Sequence, residues 1–269
     1  MNGVIYVVAT PIGNLCDITL RGIEILKTVD LIAAEDTRTT GILLKHYKIK
    51  TDLISYHKFS ECEKSDALIE FVKEGKNLAV VSDAGTPLIS DPGNVLINNA
   101  VKNKIRIIPI GGISAVTTFL SSISREGEDF KFIGFLPKVE NQIKKILTEN
   151  RFENLIFYES PVRIRKTFEI IKEINPGSKV SIGRELTKKF EEIKTGEIEE
   201  ITKYYKLNVL KGEIVCMIHK SLLNIEDEKL KEKICALKKE GFSLKDSVKI
   251  LNITDGAGKN KVKELFIIH

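Results

Sequence analysis

The sequence predicts an α/β protein with two domains, and two observations support this prediction. Short apolar runs without alternation recur between helical segments in the first half of the chain, as is typical of strands buried on both faces of a parallel sheet. At 269 residues, with 42% hydrophobic and 29% charged residues, the chain is near the size at which one core divides into two. We therefore expect a mostly parallel sheet with helices on its faces, then a second α/β domain and a small helical tail.

The first domain, placed at residues 1–115, is predicted to alternate strands and helices. The apolar runs predict strands at Val4–Ala9, Leu31–Glu35, Leu53–His57, Leu78–Ser82 and Ile105–Ile110. Helical segments lie between them, at Thr19–Thr28, Gly41–Tyr47, Glu61–Glu74 and Val95–Asn103. Ser60 and Glu63 have the spacing of a capping box at the start of the third helix, and Gly75 stands where a C′ glycine ends it.

A helix at Ser114–Leu120 and a hydrophilic stretch at 121–129 lead into the second domain, placed at residues 116–223. There the pattern predicts strands at Phe130–Leu136, Leu155–Glu159, Val180–Arg184 and Ile214–His219, and helices at Asn141–Asn150 and Val162–Ile174. Ser160 and Pro161 suit the N-cap and the first position of the latter helix. Residues 224–269 are a Lys-rich tail that Gly241 and the segment Thr254–Gly258 divide into about three short helices.

Composition excludes several classes of protein. No apolar run approaches the roughly 20 residues of a membrane span, and the strand from Val4 leaves no room for a signal peptide, so we expect a cytoplasmic protein without membrane contact. The four cysteines are scattered, with no C-x-x-C pair and no histidine at zinc spacing, so neither a disulfide framework nor a metal site is expected. The net charge of +5 is compatible with a polyanionic partner without requiring one.

The segment Ser82–Gly93, SDAGTPLISDPG, is the most informative stretch of the chain. It follows a predicted buried strand and holds two Asp/Pro/Gly turn clusters, each with an aspartate and a glycine. Ligands of open α/β sheets bind beyond the carboxyl ends of the strands, so a loop rich in free N–H groups at this place indicates a site for a small, polar cofactor. A plain structural turn would need only one such cluster.

Three further loops follow predicted strands of the same sheet: Thr10–Leu15, Glu35–Thr39 and Ile110–Ala115. The last of them brings glycines to a helix N-terminus, whose free N–H groups suit a negatively charged group. Each loop alone is typical of a turn, whereas four such loops at one sheet edge indicate a ligand.

The second domain contributes charged residues next to predicted strand ends, where a cleft between the domains would open. These are Arg163, Arg184 and Glu185. Lys189 and Glu192 fit a solvated face instead. No Ser/His/Asp or Cys/His arrangement is apparent, and His219, at the end of an apolar strand, fits a structural histidine.

A nicotinamide cofactor is the obvious rival, and the sequence argues against it. Such a site would show G-x-G-x-x-G after the first strand, with an acid about 20 residues further on. Here the first loop has a single glycine, Gly13, preceded by Pro11 and Ile12. No G-x-x-x-x-G-K-[ST] phosphate loop occurs either.

Six stretches share a common resemblance: YVVATPIGNLCDITLRGIEIL (6–26), LIAAEDTRTTGILLKHY (31–47), VVSDAGTPLISDPG (80–93), GFLPK (134–138), FYESPVR (157–163) and RELTKKFEEI (184–193). The chain resembles, from residue 5 to about residue 218, the ribosomal RNA methyltransferase branch of the tetrapyrrole methylase superfamily, whose members depend on S-adenosylmethionine. The AEDTRT and SDAGTPLISDPG motifs in one chain, at this spacing, are highly specific to that branch.

Three positions depart from the family's pattern. Residues 111–115 are GGISA, where the family typically has a Gly-Pro pair before the serine. Val162 stands where a histidine is common. His57 is followed by Lys58 and Phe59 rather than by Asn and Glu.

The resemblance implies two α/β domains with the cofactor in a cleft between them, a homodimer, and methyl transfer to the 2′-hydroxyl of a cytidine in the decoding region of 16S ribosomal RNA, in the small ribosomal subunit. Carried over by position, it implies that S-adenosylmethionine is bound by Pro11, Gly13, Asp83, Ala84, Gly85, Thr86, Ser114, Ala115, Tyr158 and Leu186. It places Glu35, Asp36 and Arg38 near the reacting centre, and substrate contacts are expected at Arg163, Arg184, Glu185 and Lys188.

A ribose hydroxyl is a poor nucleophile until its proton is at least partly removed, so we expect a carboxylate as the base. The candidates are Asp36 and Glu35, with Arg38 or Arg163 on a flanking phosphate. Two other functions fit these residues: a methyltransferase of the same superfamily that acts on a tetrapyrrole or similar small molecule, and a non-catalytic RNA-binding factor with the same fold. The Lys-rich tail fits a solvated helical surface or, alternatively, an RNA-docking element.

Overall fold

The computed structural model describes residues 2–208, 211–220 and 225–268 and confirms the α/β class. Two five-stranded sheets follow one another along the chain. The strands of the first lie within residues 4–110 and those of the second within 131–218, and helices complete the chain. Within the described ranges, no helix combines the length and apolar character needed to cross a membrane.

The first sheet is parallel throughout, with the strand order β3-β2-β4-β1-β5. Its strands are β1 (Val4–Val8), β2 (Leu31–Ala34), β3 (Leu53–Ser55), β4 (Leu78–Val81) and β5 (Arg106–Ile110). The helices between and after them are α1 (Leu20–Thr28), α2 (Thr37–His46), α3 (Glu61–Lys73), α4 (Asn94–Lys102) and α5 (Ala115–Leu120). Because parallel strands end at the same edge of a sheet, the predicted loops come together there.

The apolar runs of these strands have no polar alternation because both faces of the sheet are covered. Successive residues of a strand point to opposite faces. Ala34 and Val8 pack with α1 and α2 on one face, and Ala33 and Ile5 pack with α3 and α4 on the other. The result is a three-layer domain whose rigid centre fixes the loops at the sheet edge.

The second sheet is mixed, with the order β6-β7-β10-β8-β9, in which only β6 and β7 pair in parallel. Its strands are β6 (Lys131–Phe135), β7 (Leu155–Glu159), β8 (Lys179–Arg184), β9 (Glu192–Glu197) and β10 (Ile214–Ile218). One face packs on α6 (Glu140–Glu149), α7 (Ile164–Ile174) and α8 (Ile198–Leu207). The other face packs on α5 and on Ile12 of the first domain, so one apolar cluster joins the two domains.

The tail consists of three helices, α9 (Ile225–Lys239), α10 (Leu244–Asp255) and α11 (Lys259–Ile268), as predicted. Leu230, Ile234, Leu251, Val262 and Leu265 form a small core of their own, against which Phe152 of the second domain packs. The boundary expected at residues 223 and 224 falls outside the described residues.

Several local predictions were wrong. The strand β9 and the helix α8 were not predicted, because the edge strand EIKTGE has half of its residues exposed and lacks an apolar run. α2 begins at Thr37, four residues earlier than predicted, because the Asp36 carboxylate accepts a hydrogen bond from Arg38 N at 2.8 Å and caps the helix.

Two predicted helix starts also differ. Ser60 does not cap α3, because its hydroxyl bonds to the backbone of His57 instead. α7 begins at Ile164 rather than Val162, since Ser160 O accepts hydrogen bonds from the N–H groups of Arg163 and Ile164 in a preceding turn. The predicted end of α3 is confirmed: Gly75 adopts φ +91° and its N–H bonds to Val72 O.

Candidate functional site

A cavity of about 410 Å³ lies between the carboxyl edge of the first sheet and the second domain. All four predicted loops of the first sheet reach it: the first loop contributes Ile12, the second Glu35, the third Asp83–Thr86 and Ile89–Asp91, and the fourth Ser114 and Ala115. The second domain contributes Phe135, Tyr158–Pro161, Gly183, Leu186 and Gly212–Val215. Both domains therefore form the walls of one site.

The loop Ser82–Gly93 is held in a fixed shape by hydrogen bonds to the loop after β1 and by its own backbone conformation. Thr10 and Gly85 exchange two backbone hydrogen bonds, of 2.8 and 3.0 Å, and the Thr10 hydroxyl donates to Ser82 O. Leu88 and Ser90 adopt positive φ angles of +75° and +69°, a costly conformation for non-glycine residues. Such strain persists only where the surroundings impose it, and here it lies against the cavity.

The opposite wall is constrained in the same manner. Glu185 and Thr187 have φ angles of +50° and +64°, and Leu186 between them is buried against the cavity. One oxygen of Glu185, Oε1, accepts hydrogen bonds from Lys188 Nζ and Glu213 N, both at 2.9 Å. The two loops of this wall are therefore linked to each other.

The lining is acidic. Its ionisable groups are the carboxylates Glu35, Asp83, Asp91, Glu159 and Glu213 and the phenol of Tyr158. Among the described residues that line the cavity, none is a lysine, arginine or histidine. An acidic, partly desolvated cavity attracts a cation and repels phosphate groups.

The carboxylates alter each other's ionisation. Burial, together with the negative charges of Glu35 and Asp83, raises the pKa of Asp91 to about 6, although a hydrogen bond from Ser82 acts to lower it. Burial and Asp83 raise the pKa of Glu35, and burial is also the main cause of the raised pKa of Asp83. Burial, with Asp91 and Glu213, raises the pKa of Tyr158 to about 12. The cavity thus favours protons or another cation.

Glu35 and Asp36 are adjacent but serve different surfaces. Glu35 lines the cavity, and its Oε2 lies 3.5 Å from Asp83 N, while Asp83 Oδ1 accepts a hydrogen bond from Asp36 N at 3.0 Å. The Asp36 side chain lies outside the lining and binds Arg38 through both of its oxygens. Hydrogen bonds from the Arg38 side chain hold the pKa of Asp36 at about 2.

Most of the residues predicted to hold the cofactor line the cavity, and two do not. Those in the lining are Asp83, Ala84, Gly85, Thr86, Ser114, Ala115, Tyr158 and Leu186. Pro11 and Gly13 lie outside it, with Ile12 between them inside. A Cβ atom on Gly13 would lie 2.9 Å from Thr187 Oγ1 and closer still to Lys188, so this glycine permits close contact between the domains.

The residues predicted to contact the substrate are engaged with other protein groups. Arg163 Nη2 donates to Leu136 O at 3.1 Å and Pro137 O at 2.6 Å and lies 3.3 Å from the buried carboxylate of Glu159. Arg184 Nε lies 3.0 Å from Glu192 Oε2. Lys188 Nζ lies 2.9 Å from Glu185 and 3.0 Å from Glu213. These pairs brace the loops around the cavity.

Some lining residues were not among the predicted site residues. Asp91 belongs to the second Asp/Pro/Gly cluster of Ser82–Gly93, so the motif itself was a sufficient signal. Phe135 is the last residue of β6, and Glu213 immediately precedes β10. No local pattern identified them, because the mixed order of that sheet depends on long-range pairing.

Comparisons with known proteins agree with this architecture. The family model "Tetrapyrrole (Corrin/Porphyrin) Methylases" matches residues 4–202. The chain is 40% identical, over 98% of its length and 94% of the relative's, to the protein named ribosomal RNA small subunit methyltransferase I of Halalkalibacterium halodurans. It is 36% identical to the protein of the same name of Bacillus subtilis, over 99% of this chain and 94% of that one.

Solved structures share the fold at low sequence identity. A diphthine synthase superposes with a TM-score of 0.65 at 14% identity, covering 82% of this chain and 91% of its own. The methyltransferase CobJ superposes with a TM-score of 0.64 at 19% identity, covering 81% and 95%. At these identities the likeness concerns the fold alone.

Proposed function

The chain belongs to the tetrapyrrole methylase family, in the branch of ribosomal RNA small subunit methyltransferase I, and on that premise we propose that it methylates the ribose 2′-hydroxyl of a cytidine in the decoding region of 16S ribosomal RNA. S-adenosylmethionine is the proposed methyl donor, and a homodimer acting on the small ribosomal subunit is the proposed assembly. The observation that carries the choice of donor is the acidic lining of the cavity.

The residues present fit this donor by charge. S-adenosylmethionine carries a net positive charge, with a sulfonium and an ammonium against one carboxylate. Glu35, Asp83 and Asp91 lie together in a cavity whose described lining residues include no cation, and burial is the main cause of their raised pKa values, so a bound positive group would favour their ionised forms. A dinucleotide, with two phosphates, would meet repulsion in the same place.

The apolar residues suit the rest of the donor. Ile12, Leu186 and Val215 are buried in the cluster that joins the two domains and also line the cavity. Leu186 would hold the nucleoside together with Tyr158, and the Ser114–Ala115 turn would offer polar contacts at its edge. Because both domains supply these groups, binding of the donor would stabilise their relative position.

When bound, the donor supplies an electrophilic methyl group on a sulfonium, which leaves as a neutral thioether. The chain's own task is to align the ribose hydroxyl with that methyl group, to exclude water and to take up the hydroxyl proton. Glu35 is the proposed proton acceptor, because it lines the cavity next to His57 and the loop after β3, at the open edge of the sheet. Its raised pKa makes it a stronger proton acceptor than an ordinary glutamate.

The remaining cavity acids have a different proposed role. Asp83 and Asp91 would stay ionised next to the donor and stabilise its positive charge. Asp36, the other candidate for the base, binds Arg38 and caps α2. Its low pKa makes it a weak proton acceptor. In this proposal Arg163 holds the loop at 134–138 in place and does not bind a phosphate.

The test compares two acceptors with one labelled donor. Protein incubated with methyl-labelled S-adenosylmethionine should transfer label to small ribosomal subunits from cells that lack this protein, and none to a precorrin-type tetrapyrrole. Label in the tetrapyrrole alone would instead support the small-molecule activity of the same superfamily. Binding of the donor without transfer to either acceptor would contradict the proposed substrate.

A further inference from the structure

Two turns beside the cavity have the same construction, one in each domain. In the first domain, Ser60 N donates to His57 O at 2.8 Å, so that Lys58 and Phe59 are the two central residues of the turn. In the second domain, Glu191 N donates to Lys188 O at 3.0 Å, and Lys189 and Phe190 take the central positions. Each turn therefore presents a lysine and a phenylalanine at its tip, and we call the two segments the Lys-Phe turns.

Both phenylalanines are directed to solvent. Phe59 is 94% exposed and Phe190 is 66% exposed, and both lysines are exposed as well. Neither ring belongs to the buried apolar clusters of the two domains. An exposed ring next to a cation offers stacking area and charge together.

The turns are firmly held, which distinguishes them from loose loop tips. The Ser60 hydroxyl closes the first turn a second time, through His57 N and His57 O, both at 3.2 Å. The Glu191 carboxylate closes the second by accepting a hydrogen bond from Thr187 N at 2.6 Å. Because the rings are fixed in advance, a ligand that stacks on them loses little conformational entropy in the protein.

Both turns adjoin the cavity. The first follows β3, which pairs in parallel with β2, so it lies at the same sheet edge as Glu35. The ring of Phe59 lies 6.1 Å from that of His57, whose charge also acts on Glu35. The second turn starts two residues after Leu186, which lines the cavity, and Lys188 packs against Gly13 of the first domain.

We propose that the Lys-Phe turns bind the unpaired nucleotides on either side of the methylated ribose, with each ring stacked on a base and each lysine on a phosphate. This inference rests on the proposed function, because it assumes that the polymer at the cavity is RNA. Aromatic rings combined with lysines are the elements that bind single-stranded nucleic acid with little sequence preference. The acidic cavity repels phosphates, so contacts with the backbone must lie outside it, where these lysines are.

The test measures binding of a fluorescein-labelled single-stranded RNA of about 12 nucleotides by anisotropy, a length within the usual site sizes of single-strand binders. Phe59→Leu and Phe190→Leu should each weaken binding roughly tenfold, since leucine keeps an apolar side chain but cannot stack. Phe59→Trp and Phe190→Trp should retain the affinity. Lys58→Gln and Lys189→Gln should each reduce the slope of log K against log salt by about 0.7.

Phe130→Leu is the matched control. Phe130 is 44% exposed and precedes β6, at the end of that strand opposite to Phe135 of the cavity, so its replacement should leave RNA binding unchanged. All variants should melt at the wild-type temperature and bind S-adenosylmethionine as the wild type does, which separates a binding defect from a folding defect.

The outcomes separate this inference from the proposed function. Methyl transfer with unchanged RNA affinity in both leucine variants overturns the inference and leaves the proposed function standing. Weakened RNA binding in a protein that methylates no ribosomal RNA supports the inference and contradicts the proposed function. If the leucine variants change the molar mass of the protein in solution but not its RNA affinity, the rings belong to an interface between copies and the inference is overturned. A wild-type protein that does not bind the RNA would overturn it as well.

Discussion

The Arg38 guanidinium donates to both carboxylate oxygens of Asp36, with Nη2 2.6 Å from Oδ2 and Nε 3.0 Å from Oδ1. The same carboxylate caps α2, so both of its oxygens accept hydrogen bonds from within the protein. Glu35, one residue earlier, points into the acidic cavity instead. Adjacent residues at the end of a strand point to opposite sides, and this divides the two acids between a structural and a chemical role.

This division predicts different outcomes for two matched variants. Glu35→Gln should lower kcat by about a hundredfold at saturating donor, because the base is lost while the side chain keeps its size. Asp36→Asn should retain kcat within about threefold, since an amide oxygen still caps α2. The measurement is steady-state transfer of labelled methyl groups to small subunits. Equal impairment of the two variants would contradict the assignment.

The raised pKa of Asp91 predicts that donor binding depends on pH. Its carboxylate, with a pKa of about 6, gains a proton as the pH falls and then no longer attracts the sulfonium. Affinity for S-adenosylmethionine should fall about tenfold from about pH 7.5 to about pH 5. S-adenosylhomocysteine, whose sulfur is neutral, should show a weaker dependence.

Isothermal titration of both compounds at a series of pH values makes this measurement. Asp91→Asn should weaken donor binding at neutral pH and flatten its pH profile, and Asp246→Asn, an exposed acid in the tail, is the control. A profile in Asp91→Asn that matches the wild type would show that another group controls binding.

Arg163 is predicted to act through the protein. It joins the buried Glu159 carboxylate to the carbonyls of Leu136 and Pro137, so Arg163→Met removes the cation from Glu159 and the donor from both carbonyls. Glu159 keeps its two other hydrogen bonds, from Ser160 N and Thr167 Oγ1. We expect a loss of about 2 kcal/mol in the free energy of unfolding, measured with urea. The salt dependence of RNA binding should be unchanged.

The control is Arg165→Met. Arg165 lies in the first turn of α7, is exposed, and donates one hydrogen bond of 3.3 Å to Asn208 O. It should cost no more than about 0.5 kcal/mol, as expected of a surface substitution. A flatter salt dependence in Arg163→Met, without loss of stability, would instead place this arginine on a phosphate.

The buried His219 predicts that the free energy of unfolding decreases in acid. The His219 ring is buried, and its Nε2 forms a hydrogen bond of 2.7 Å with Ser181 Oγ. Burial, with the charge of Lys179, lowers the pKa of the ring to about 4. The unfolded chain, with a histidine pKa near 6.5, therefore binds more protons between these values, and stability falls as the pH drops from about 6.5 to about 4. This agrees with its expected structural role.

The free energy of unfolding should fall by roughly 3 kcal/mol across that interval. The measurement is the difference in this free energy between the wild type and His219→Leu, from urea unfolding at each pH. The variant should lack the dependence while losing some stability at neutral pH. A constant difference between the two proteins at all pH values would contradict the buried, neutral histidine.

The first sheet and its four loops were predictable from the sequence, because a strand such as Leu78–Val81 is apolar on both faces and its turn residues are distinctive. Side-chain direction was not. Ile12 enters the cavity while its neighbours Pro11 and Gly13 do not, and nothing in the TPIGN sequence distinguishes them. The resemblance correctly identified the family. The roles of individual residues depend on contacts that only the fold creates.

The second domain was harder to predict for a physical reason. Its mixed order places β10 between β7 and β8, antiparallel to both, so Glu213 contacts Lys188, 25 positions earlier in the sequence. Such pairing follows from the packing of the whole sheet rather than from any local pattern. The Lys188–Glu213 ion pair depends on this pairing, and the Arg184–Glu192 pair depends on the register of β8 against β9. That the two cations contact the substrate stays a prediction.

The central claim is tested most directly by mapping the modified ribose. Small subunits from cells that lack this protein are incubated with the purified protein and methyl-labelled S-adenosylmethionine, and their 16S RNA is then hydrolysed in alkali, which leaves the bond after a 2′-O-methyl ribose intact. The account predicts one new alkali-resistant dinucleotide that begins with a labelled cytidine in the decoding region, and its formation about a hundredfold more slowly with Glu35→Gln. Label on a base, or on no RNA at all, would contradict it.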